Sequence, residues 1–241
     1  MKKKWVKRLA TLVAFTLAIV FVIKFAGPKI LTNYVESGIG NCQTIPILCK
    51  VPEKEVTTFQ PDKSYAQDCI PYKFPKVEIY IPKGFKVVQE LIKRPYYKKK
   101  KFRNGEPVIY LLHQGPGYFC KLFPQLIKLG INDNYKFLTS MMFSRVSQIN
   151  NLNDAFFVIM KSIFTPDLGN QNLVKMIQFE MEDKAGFINY TISPKFNYFD
   201  CSVVNKEGDF FKVYIRDARC TLDLNKVITI ISTLSPGEQN A

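Results

Sequence analysis

The chain has 241 residues, a formal net charge of +14, 47% hydrophobic and 14% aromatic residues, and six cysteines. That apolar content excludes a disordered tail, and the length allows one domain with a full hydrophobic core once a leader is set aside. The charge resembles a nucleic-acid footprint, but its distribution argues otherwise: residues 1–30 hold seven cations, residues 93–103 another seven, and the remainder balances at twenty basic against twenty acidic residues.

In chain order, residues 1–8 carry five cations and no acid, and Leu9 to Ile23 are fifteen residues without charge. This pattern predicts a signal sequence or a membrane anchor with its basic end in the cytoplasm. Fifteen residues span roughly 22 Å, short of a ~30 Å hydrocarbon core. The apolar stretch resumes after Lys24, whose ammonium can snorkel to the headgroups, so counting to Ala26 gives a segment able to span. Lys24 and Pro28 also make a poor cleavage site around Ala26. The expectation is a single-pass protein, anchored by residues 9–26, with its C-terminal domain periplasmic or extracellular. Secretion after signal cleavage is the alternative.

All six cysteines, Cys42, Cys49, Cys69, Cys120, Cys201 and Cys220, lie beyond the leader, and their even number suits an oxidising compartment. Mostly disulfides are expected, with Cys42–Cys49 the only pairing that spacing suggests. Residues 31–75 contain five prolines and three of the cysteines without sustained periodicity, and read as a Cys/Pro-rich stalk.

The domain proper is expected over residues 76–236. Val77, Ile79 and Ile81 alternate with polar neighbours, Lys83-Gly84 signals a turn, and Phe85 to Leu91 and Pro107 to Leu112 read as further strands. Phe119, Leu122, Phe123, Leu126 and Ile127 recur on one helical face, with Pro124 demanding a late start or a kink. Asn132-Asp133 caps a second helix to about Ser144. Asn153-Asp154 caps a third to Phe164, though Ala155 to Met160 also fits a buried strand. Residues 177–215 then form a four-stranded antiparallel meander broken by turns at 183–186, Pro194 and 205–209. Leu224, Val227, Ile228, Ile231 and Leu234 make a closing helix, expected to cover the meander's one apolar face. Grouped strands and grouped helices predict an α+β fold. The element order resembles small extracytoplasmic α+β sandwiches such as the PsbP and Mog1-like group, a topological analogy that implies a layer arrangement and no site residues.

Motifs for chemistry are scarce. No C-x-x-C, G-x-S-x-G, P-loop, G-x-G-x-x-G or H-E-x-x-H pattern occurs, and His113 is the single histidine. No catalytic residue, metal site or cofactor is therefore assigned. Cys120, seven residues after His113, could pair with it as a nucleophile; a strand-end histidine and a core cysteine are the plainer account. Glu180 and Glu182 could form an acidic pair, against a solvated strand face. Asp217 and Arg219 flank the step into the last helix as a cap or ion pair, and Asn189-Tyr190-Thr191 is an N-glycosylation acceptor pattern.

One segment pulls towards partners. Lys93, Arg94, Tyr96, Tyr97, Lys98, Lys99, Lys100, Lys101, Phe102 and Arg103 combine seven cations with three aromatics and no acid, on a link between two strands that a hairpin tip would explain. Its expected contacts are anionic lipid, an envelope polymer or an acidic protein, with no nucleic acid for an outward-facing domain. The functional expectation is a membrane-anchored, non-catalytic binding domain. An envelope hydrolase using carboxylates or a Cys-His pair is the alternative.

Overall fold

The computed structural model describes residues 24, 26–74, 77–89, 107–165 and 173–237. The expected leader over 9–26, apart from residues 24 and 26, and the whole basic segment 93–103 fall outside them. Among the described residues no helix is long and apolar enough to cross a membrane. The chain divides into two compact units, one of residues 1–50 with 144–164 and one of residues 51–143 with 165–241.

The first unit contains helix α1 (Gly27–Gly38), which opens with Pro28 in its first turn. Proline suits that position because its missing N–H would find no helical acceptor there. Leu31, Val35 and Ile39 repeat every four residues on one side and pack with Leu48, Val146, Ile149, Ala155 and Val158. Asn41 Oδ1 accepts from the backbone N–H groups of Gln43 (3.0 Å) and Thr44 (3.1 Å), turning the chain so that Cys42 and Cys49 meet with Cα atoms 5.7 Å apart. The helix Leu152–Phe164 completes this unit. It settles the choice between helix and strand for 155–160 in favour of helix. Its cap is Asn151, whose Oδ1 accepts from Asn153 N and Asp154 N, and not Asn153-Asp154 as expected.

In the second unit the elements are β1 (Glu53–Thr58), α2 (Lys63–Gln67), β2 (Cys69–Phe74), β3 (Val77–Pro82), β4 (Lys86–Gln89), β5 (Val108–Gln114), α3 (Tyr118–Leu122), α4 (Asn134–Met142), β6 (Lys175–Glu180), β7 (Lys184–Ile192), β8 (Asn197–Asn205), β9 (Phe210–Asp217) and α6 (Leu224–Ser232), α5 being Leu152–Phe164 of the first unit. Seven strands form one sheet in the order β1-β6-β7-β8-β9-β5-β4, and β2 and β3 form a separate antiparallel pair. The meander β6 to β9 is antiparallel throughout, as the alternation predicts. The fold is α+β, with a mixed sheet because β1 runs parallel to β6 and β4 parallel to β5. Two expectations change here. Residues 27–74 hold regular elements, including a strand of the main sheet, so the stretch read as an irregular stalk is part of the folded units. The basic segment connects two parallel neighbours, so it is a crossover link and not a hairpin tip.

The first face of the sheet meets β3 and α6. Ile79, Ile109, Phe179, Ile188, Phe199, Val213 and Ile215 pack there with Val227, Ile228 and Ile231, all fully or almost fully buried. Each such side chain contributes about 1.5–3 kcal/mol of burial. Asp223 caps α6 by accepting from Lys226 N at 2.9 Å. The second face, expected to be solvated, is covered by α4 and the aromatic cluster of Phe119, Phe137 and Phe210, with Phe119 stacked on Phe137 at 4.1 Å. Pro124 ends α3 and starts a 3₁₀ turn, Pro124–Leu129, which is the kink its position demanded.

Candidate functional site

His113 lies near the end of β5, directly across from Phe211 of β9, and the two rings pack at 4.9 Å. Its Nε2 stands 3.0 Å from Asp209 Oδ1, with both side chains only 12–13% exposed. Asp209 is fixed in turn by Asn205, whose Nδ2 donates to Oδ2 at 3.2 Å and whose Oδ1 accepts from Asp209 N at 2.7 Å. Gly208, with φ +84°, lets the 205–209 turn close.

Asn134 holds this corner together, although nothing in its local pattern distinguishes it from an ordinary helix start. Fully buried at the start of α4, it accepts from Phe119 N and donates from Nδ2 to Gly115 O (3.2 Å) and Gly208 O (2.8 Å). It thereby ties the Gly-Pro-Gly turn after His113 to the turn carrying Asp209. Cys120 takes no part: its Sγ donates to Ile131 O at 3.4 Å, and burial, with Asp133 nearby, pushes its thiol pKa up. A protonated thiol facing a carbonyl is a poor nucleophile.

A cavity of about 260 Å³ lies at the β6–β7 turn, with Tyr135, Glu180, Glu182, Asp183, Lys184 and Lys206 among its lining residues. Glu180 ends β6, so Glu182 sits in the turn and not on the strand as read from the sequence. Both carboxylates are exposed. Gln178 Nε2 donates to Tyr135 Oη at 2.8 Å and sets that ring, which stacks on Phe187. Lys184 is buried and committed elsewhere: its ammonium pairs with Asp183 and donates to Ser232 O. Thus the cavity gathers the two predicted glutamates but neither His113 nor Cys120. Among the described residues no three of His, Cys, Asp and Glu converge as metal ligands.

No family model, curated protein or solved structure matches this chain.

The remaining predicted residues separate. Cys42–Cys49 is a disulfide, whereas Cys69, Cys120, Cys201 and Cys220 are free thiols, which corrects the expectation of mostly disulfides. Cys201 shows why: it points into the apolar first face, where burial holds its pKa well above the ordinary thiol value. Asn189 of the glycosylation pattern is fully buried within β7, out of reach of any surface modification. Asp217 acts as a cap, accepting from the backbone N–H groups of Arg219, Thr221 and Leu222. The residues expected to bind partners, Lys93 to Arg103, lie outside the described residues.

Beneath α4 is a polar network that alternation concealed. Asn189, Asp200, Ser202 and Lys212 project from β7, β8 and β9 onto the covered second face, all at most 3% exposed. Lys212 Nζ lies 2.6 Å from Asp200 Oδ1 and donates to Ser202 Oγ at 2.9 Å. Asn189 Nδ2 reaches Asp200 Oδ2 at 3.5 Å and Met142 Sδ at 3.9 Å. Burial raises the Asp200 pKa, opposed by Lys212. Charges set inside Phe199-Asp200-Cys201 and Phe211-Lys212-Val213 were the available signal: in apolar runs covered on both faces they must find each other.

Proposed function

We propose that this chain is an exported domain, held at a membrane by residues 9–26, that performs no catalysis and binds an anionic envelope surface or acidic partner through residues 93–103. The observation that carries this reading is the place of that segment in the topology. It joins β4 to β5, the parallel neighbours at one end of the sheet, and carries seven cations and three aromatics with no acid. The Cys42–Cys49 disulfide, close behind the leader, fits an oxidising compartment. A domain tethered this way works within reach of anionic headgroups, where each basic residue contributes about 1 kcal/mol.

The test replaces Lys98, Lys99, Lys100 and Lys101 by serine in protein starting at residue 27. Partition onto anionic vesicles at low ionic strength should fall by roughly a hundredfold or more, and the wild-type signal should fade as salt is raised. Equal binding by both proteins refutes the assignment.

A second reading, an envelope hydrolase using Glu180 and Glu182, is supported by their shared cavity. It requires that the double substitution E180Q/E182Q abolish turnover of an envelope polymer. Hydrolysis by a Cys120–His113 pair has less support, because those side chains engage Ile131 O and Asp209.

A further inference from the structure

The buried network on β7, β8 and β9 places an amine and a carboxyl in contact, away from water, with a polar side chain on either side. We propose that Lys212 and Asp200 condense to an intramolecular isopeptide bond joining β8 to β9.

The geometry meets what such a condensation needs. Lys212 Nζ is held 2.6 Å from Asp200 Oδ1, which keeps the amine beside the carboxyl group whose Cγ it would attack. Both side chains are sealed in, at 0% and 3% exposure. Lys212 stands between Phe210 and Tyr214 on its own strand face and opposite Leu112 of β5. Two ionised groups held there have lost the hydration they would have in water, and proton transfer between them yields an uncharged amine and acid. Burial already favours the protonated form of Asp200.

The step balances without any co-reactant. The Lys212 ammonium passes one proton to the Asp200 carboxylate, and the freed lone pair adds to Cγ. Asn189 Nδ2, on the Oδ2 side, stabilises the negative charge that builds on that oxygen. Ser202 Oγ, bonded to Nζ, relays a second proton from nitrogen to Oδ1. The Cγ–Oδ1 bond breaks, water departs, and a neutral amide with one N–H remains in place of the ion pair. The product removes two buried charges and closes a covalent loop across the β8–β9 turn.

The experiment is peptide mapping of the full-length protein after reduction and denaturation. If the bond forms, trypsin cannot cut after Lys212, and a branched species appears that joins residues 196–206 to 207–216, lighter by one water than the sum of its parts. The linear 207–212 peptide then falls to a minor fraction. In Lys212→Met and Asp200→Ala the branched species is lost. Should either variant fail to fold, the wild-type map still decides. Linear peptides alone, from correctly folded wild-type protein, overturn the proposal and leave an ordinary buried ion pair. A branch containing Asn189, with loss of ammonia and not water, also overturns it, because the acyl group would then be the wrong one.

Discussion

Lys161 gives the sharpest test of the energetics. It sits in α5, fully buried, and its ammonium donates to Lys50 O at 2.5 Å and Ser144 O at 2.9 Å. Burial, reinforced by the neighbouring Arg145 charge, lowers its pKa from 10.5 to about 7. The unfolded chain therefore keeps the proton up to near 10.5, while the folded chain releases it near 7. Between those values the unfolded state binds more protons, so stability rises with pH; below about 7 both states are protonated and the penalty is full and constant. At about 1.4 kcal/mol per pKa unit, the gain from pH 7 to pH 9 is roughly 2 kcal/mol, with almost none between pH 5 and pH 6. The perturbation is Lys161→Met, which keeps an unbranched apolar stem but cannot titrate. It also strips a donor from two carbonyls, a loss of about 1–3 kcal/mol each that does not vary with pH. Urea denaturation of both proteins in mild detergent, followed by far-ultraviolet circular dichroism at pH 6, 7, 8 and 9, isolates the term as the difference between them. Wild type should gain on the variant as pH rises above 7. A difference that stays flat, or that runs the other way, refutes the reasoning.

Three further outcomes are expected. Asp217→Ala strands three backbone N–H groups at the entry to α6, two of them held at 2.6 and 2.7 Å, and should cost roughly 3–5 kcal/mol in urea denaturation, with Asp217→Asn losing less. Gly186→Ala would set a Cβ 2.0 Å from the backbone carbonyl oxygen of Ser202, which cannot yield without parting β7 from β8. A loss of at least about 2–3 kcal/mol, seen as a lower Tm, is expected, and an unchanged Tm would refute it. Thiol titration of unreduced, denatured protein should count four free cysteines per chain, and Cys42→Ser should destabilise by roughly 2 kcal/mol, as a short closed loop implies.

The parts legible in the sequence are those where local pattern and final environment agree. Alternation in β6 to β9 and the stripe of Val227, Ile228 and Ile231 name their elements because each strand or helix buries one regular side. Pro124 announced its kink, since proline removes a donor wherever it stands. The covered second face was not legible. Asn189, Asp200, Ser202 and Lys212 occupy the alternate positions that a half-exposed strand gives to water, and only contact across three strands turns them into a buried network. The corner of His113 and Asp209 is similar. Ninety-six residues separate the two, and the link passes through Asn134, which read simply as part of a helix start.

From residues alone came most of the elements from β3 onwards, the α+β class, the basic segment and the Cys42–Cys49 pairing, because each is written in spacing over a few turns of chain. Tertiary structure decided which strands are neighbours, that β1 and β4 run parallel to theirs, and that polar side chains of β7 to β9 are enclosed. Strand order and burial depend on contacts between residues far apart in sequence, and the free energy of a charge depends on what surrounds it more than on what precedes it.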